Sequence, residues 1–167
     1  MTATLGKVAA APTRPSASQP NSSPSRSEVA MDHHQLATSL LSRPTFDVVA
    51  WIDPVCANGV PSDSDEALVI LCPVLGPSAT LVLHRLSRYA TAGPTVWEPG
   101  VFAATFGMSK NSATGLATKA ITRLARFGFA MIGPSALAVR THVPPLPQRW
   151  ISALPEYLRD APVANAA

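Results

Sequence analysis

Lys119, Arg123 and Arg126 follow one another at spacings of four and three residues, with Ser112, Gly115, Thr118 and Thr122 set among them. At about 100° per residue these positions share one arc of a helix. Ala113, Ala117, Ala120, Ile121, Leu124 and Phe127 share the opposite arc, which is the pattern of a helix with one greasy face and one open face. No acid stands anywhere between Glu98 and Glu156. Short hydroxyl side chains flanked by cations on an acid-free face suit a polyanion: hydroxyls and Thr methyl groups can meet base edges, and Lys and Arg can meet phosphates. Lys110, Asn111, Arg85 and Arg88 extend the cationic and polar set, and Ser135 and Arg140 could add contacts from a following hairpin.

Other chemistries find less support. Cys56 follows a Pro-Val turn and Cys72 lies in an apolar run; neither has a neighbouring base to lower its pKa, so a thiolate nucleophile is not expected. His33 and His34 are adjacent, His84 and His142 are far apart, and no carboxylate or thiolate accompanies them at ligand spacing. Asp63, Asp65 and Glu66 read as the start of a helix, where acids complement the macrodipole. There is no GxGxxG and no phosphate-loop GxxxxGK. The expectation is a protein that is not an enzyme, with no cofactor, no metal and no small-molecule substrate.

The elements that must hold the cationic face are punctuated by Pro and Gly. Residues 1–30 are Ala, Ser, Pro and Thr with no large apolar cluster, and read as a disordered tail. Residues 31–62 form a lead-in: a short helix through His34–Leu41, a strand over 45–52, then turn chemistry over 53–64. A helix over about 65–74 follows, with Asp63 or Ser64 as cap. Pro77 starts the next helix, to about residue 91, and Pro99 starts a third after the extended Thr95-Val96-Trp97. The helix over 112–127 stops at Gly128, with its regular part beginning near Gly115. A hairpin then runs from Phe129 to Arg140 around Gly133-Pro134-Ser135. Residues 144–160 form a C-terminal extension, with a helical piece from Gln148 to Arg159 broken at Pro155, and 161–167 are tail.

Charge and composition agree with this division. Residues 1–76 carry four bases against seven acids, net −3, and residues 77–167 carry nine bases against three acids, net +6. With 47% hydrophobic residues the chain can bury a core, and at 6% aromatic that core is aliphatic. Ala67–Leu83 is uncharged, but Pro73, Gly76 and Pro77 break it into two short helices rather than a membrane span. Two cysteines without a CxxC pair point to buried thiols in a reducing cytoplasm.

The order helix, helix, turn, helix, hairpin, carried by EPGVFAATFGMS, ATKAITRLARFGFA and AVRTHV, resembles winged helix-turn-helix DNA-binding proteins over about 77–143. Against the commonest version of that pattern the chain has about one extra turn before Arg123-Leu124. VLGPSATLVLHRLSRYA, LARFGFA and AVRTHVPPLPQRWISALPEYLR further resemble an uncharacterised actinobacterial winged-helix family over about 63–160. The resemblance implies a mainly α domain, 63–143, with a small β-hairpin wing. It also implies double-stranded DNA binding, sequence-specific or general, in transcriptional regulation, through helix 112–127 and wing 129–142. The competing expectation is a protein–protein interaction module built on the same scaffold and the apolar extension. Leu146, Trp150, Ile151, Leu154, Tyr157 and Leu158 suffice to pack back on the body or to form a homodimer contact through 146–158.

Overall fold

A computed structural model describes residues 26–56, 58–108 and 115–159. Helix α1 (Arg26–Leu41) leads into strand β1 (Phe46–Trp51). A 3-10 turn, Pro54–Cys56, precedes α2 (Asp65–Leu75) and α3 (Pro77–Ala92). Then come β2 (Thr95–Trp97), α4 (Pro99–Thr105), α5 (Leu116–Arg126), β3 (Ala130–Ile132), β4 (Ala136–Arg140), α6 (Gln148–Ile151) and α7 (Glu156–Arg159). The described residues form a mixed α/β fold, so the expectation of a mainly α domain with only a hairpin is corrected by the sheet.

That sheet has four strands in the order β2-β1-β4-β3. Strand β1 is antiparallel to β2, with Phe46 opposite Trp97, and parallel to β4, with Val48 beside Leu137 and Ala50 beside Val139. The lead-in strand thus sits in the middle of the sheet, between β2 and the β3–β4 hairpin, and the sheet draws on both sides of the boundary expected at residue 63. Phe46, Val48, Leu137, Val139 and Ala130 turn inward and are buried. Their alternates, including Val96, Val49, Ala138 and Met131, form the other face, which is left partly open.

Local chemistry explains most boundaries. Ser64 caps α2, its Oγ accepting the Ala67 N–H at 3.1 Å. Gly76, at φ 74°, turns the chain straight from α2 into α3, a backbone angle that any side chain would strain. Pro77 and Pro99 occupy the first turns of α3 and α4. Helix α1 starts at Arg26, earlier than expected, because no Pro or Gly interrupts residues 25–43. Once Ala37, Leu40 and Leu41 anchor it in the core, each further residue costs little to add. Trp97 packs on Tyr89 and Phe102, with ring centroids 5.5 and 5.9 Å apart, and Phe102 meets Phe46 edge-on. The C-terminal extension packs back on the body: Leu146, Leu154 and Leu158 are buried, and Trp150 lies on Phe127 at 4.9 Å. Trp150 and Ile151 of its apolar set are half-buried, and Tyr157 is exposed. No helix among the described residues is long and apolar enough to cross a membrane.

Candidate nucleic-acid interface

Helix α5 holds the cationic residues. Gly115, in extended conformation, precedes it, and Phe127 and Gly128 end it. The helix is thus shorter at its start than the expected 112–127. Its exposed residues are Leu116, Lys119, Arg123 and Arg126, which span about 80° of its circumference. There is no acid in the helix.

The buried arc is wider than the sequence pattern implied. Thr118, expected on the open face, is 0% exposed. Thr122, also expected there, is half-buried, and its Oγ1 is buried without a hydrogen-bond partner. Helix α5 packs against both α1 and α3, so it is covered on more than one side. Neither hydroxyl is presented to a duplex in this structure. Lys110, Asn111 and Ser112 lie outside the described residues.

The exposed cations meet a neighbouring helix end. Lys119 and Arg123 line a shallow pocket of about 220 Å³ with Leu75, Gly76 and Ser78. Arg123 donates from Nη2 to the Val74 carbonyl at 3.1 Å, and its guanidinium lies 5.4 Å from the Phe127 ring. Helix α3 begins at this pocket with Pro77 in its first turn and no side-chain cap. The N–H groups of Ser78 and Ala79 therefore lack helical acceptors, a setting that favours an anion. Arg85 and Arg88 are exposed further along α3. Arg85 leans on Tyr89, 3.4 Å from Nη2 to the phenol oxygen, without being buried.

The hairpin gives a different result. Ser135 is exposed at its tip, but Arg140, expected as a wing contact, is folded against neighbouring groups and only half open. Its side chain is 13% exposed and forms an ion pair with Asp53. Nη1 donates to Asp53 Oδ2 and to Cys56 Sγ, Nε donates to the Gly128 carbonyl at 2.7 Å, and the guanidinium stacks 3.9 Å from the Trp51 ring. Trp51 and Arg140 are register partners on β1 and β4, so their side chains stand side by side. The hydrogen bond from Arg140 holds the Asp53 carboxyl below its usual value. Burial pushes the Cys56 thiol up. This cluster was missed because Asp53 and Arg140 are 87 residues apart, and only the parallel register of β1 and β4 joins them. Among the described residues no three His, Cys, Asp or Glu side chains converge as metal ligands.

No family model, curated protein or solved structure matches the chain.

Proposed function

We propose that this protein binds double-stranded DNA without catalysing a reaction. On this reading α3, α4, α5 and the β3–β4 hairpin act as a winged helix-turn-helix, and the protein serves transcriptional regulation. One observation carries the proposal: the exposed strip of α5 presents Lys119, Arg123 and Arg126 and no acid. The element order α3–β2–α4–α5–β3–β4 supports it, with β1 as an added strand inside the sheet. Lys119 and Arg123, beside the uncapped start of α3, would take one phosphate, and Arg126, Arg85 and Arg88 others. With Thr118 and Thr122 withdrawn from the surface, phosphates dominate the contact over base edges.

The hairpin favours a second reading, a docking surface for a protein. With Arg140 engaged by Asp53, the outer sheet face shows Val96 at 68% and Met131 at 53% exposure. Ionic strength separates the two readings. Duplex binding, followed by fluorescence anisotropy on the full chain, should fall steeply as salt rises, whereas an apolar contact should hold. Absence of duplex binding at low salt would overturn the DNA reading.

A further inference from the structure

A second site lies away from the α5 strip. A cleft of about 350 Å³ opens where the end of β1, Cys56, the last turn of α3 and the residues after β4 meet. Its walls are largely apolar, formed by Trp51, Ile52 and Ala90, and its charged groups are the Asp53–Arg140 pair, with Thr91, Thr141 and His142 also on the lining. The volume is at the low end for small-ligand sites, which suits a ring system rather than a nucleotide.

The pair is only partly used. Arg140 spends Nε and Nη1 within the chain, and Nη2 makes no hydrogen bond among the described residues. The guanidinium is held rigidly by the Gly128 carbonyl and the Trp51 ring, so that free donor has a fixed direction. Asp53 Oδ1 accepts the Val55 N–H at 3.0 Å, Oδ2 accepts from Arg140, and the carboxylate also accepts from the Cys56 thiol, which leaves it room for one further donor. The cleft therefore offers a donor and an acceptor side by side, beside an indole, with formal charges that cancel.

We propose that this cleft binds a small neutral planar heterocycle with adjacent N–H and C=O groups, the lactam edge found in a free nucleobase. The C=O would accept from Arg140 Nη2 and the N–H would donate to Asp53. An anion meets the Asp53 carboxylate, which Arg140 keeps ionised, and a cation meets Arg140. A hydrocarbon would strip water from both groups and return no hydrogen bond.

Titration calorimetry on the full chain tests this with uracil and hypoxanthine, against benzoate and benzamidine as charged planar probes. At least one lactam should bind saturably, with both charged probes weaker by about tenfold or more. Asp53→Asn should weaken the lactam by about tenfold, the loss of one charge-assisted bond, and strengthen benzoate, because the site becomes positive. Thr91→Trp, at an exposed cleft residue outside the ion pair, should fill the space and abolish lactam binding. The proposal is overturned if neither lactam gives saturable heat, if benzoate binds the native chain more tightly than the lactams, or if Thr91→Trp leaves lactam binding intact.

Discussion

Replacing Lys119, Arg123 and Arg126 together by Ala removes every exposed cation of α5 and leaves its buried face untouched. If each side chain neutralises one phosphate, the three account for about 2.7 of the slope of log affinity against log salt, at about 0.9 each. Between about 50 and 200 mM salt, a fourfold change, the ratio of native to variant affinity should therefore shrink by about 40-fold. Anisotropy of a labelled duplex over a salt series reads both slopes. The helix should survive the change. Arg123 and Arg126 lie in its last turn, where each cation contributes about 0.3–1 kcal/mol. The exposed bond from Arg123 to Val74 adds about 0.5–1.5 kcal/mol. A urea melt should show a modest loss and a cooperative transition. Arg43→Ala/Arg149→Ala, two exposed cations off the strip, should reduce the slope by less than one ion. An unchanged slope in the triple variant, or a control that loses as much, would refute the assignment of phosphate contacts to α5.

Three further outcomes follow from other side chains. Thr122→Val removes a buried hydroxyl oxygen with no partner, so the midpoint of a urea melt should rise, by about 1 kcal/mol of stability, with duplex affinity unchanged; a fall in affinity would mean that the hydroxyl touches DNA. Leu154 is 1% exposed, and Leu154→Ala should cost about 2–5 kcal/mol in the same melt, while a loss below about 1 kcal/mol would show that the extension is not docked. Asp53 has its folded-state pKa lowered from 3.8, chiefly by the Arg140 hydrogen bond, so its contribution is fully present above 3.8 and is lost as pH falls through the lower folded value. The stability gap between the native chain and Asp53→Asn should accordingly be constant near neutrality and close at acid pH, as read by urea melts at several pH values; a gap that does not close would remove the ion pair as its source.

Much of the chain was legible because its boundaries are local. The Gly76-Pro77 break, the starts at Pro77 and Pro99, the Ser64 cap and the hairpin around Gly133 each depend on a few adjacent residues. What was not legible depends on distant partners. Nothing near Val48 announces that its strand lies parallel to one almost ninety positions later, beside Leu137. Thr118 looked open from helix periodicity alone, which carries no sign that α5 is packed by both α1 and α3. Arg140 looked like a wing contact because a cation closing an apolar strand is ordinarily solvated, and its acceptor, Asp53, stands on the far side of the domain in sequence.

On the proposed reading, the same long-range packing limits what α5 could read. A helix that enters the major groove to discriminate bases needs its flanks as well as its crest, since short side chains reach base edges only at close approach. Here the flank hydroxyls are buried or half-buried, and Arg123 on the crest is tethered to the end of α2 by the Val74 carbonyl. What remains is a ridge of cations about 10 Å long, from Lys119 to Arg126, which on the proposed reading would meet the phosphate backbone more than the groove floor. On the proposed reading, binding by this ridge should be strong in salt dependence and weak in sequence preference. Selection from a random duplex pool should therefore enrich little beyond a preference for duplex shape, and a sharply defined motif would show that base readout enters through a surface other than the crest of α5.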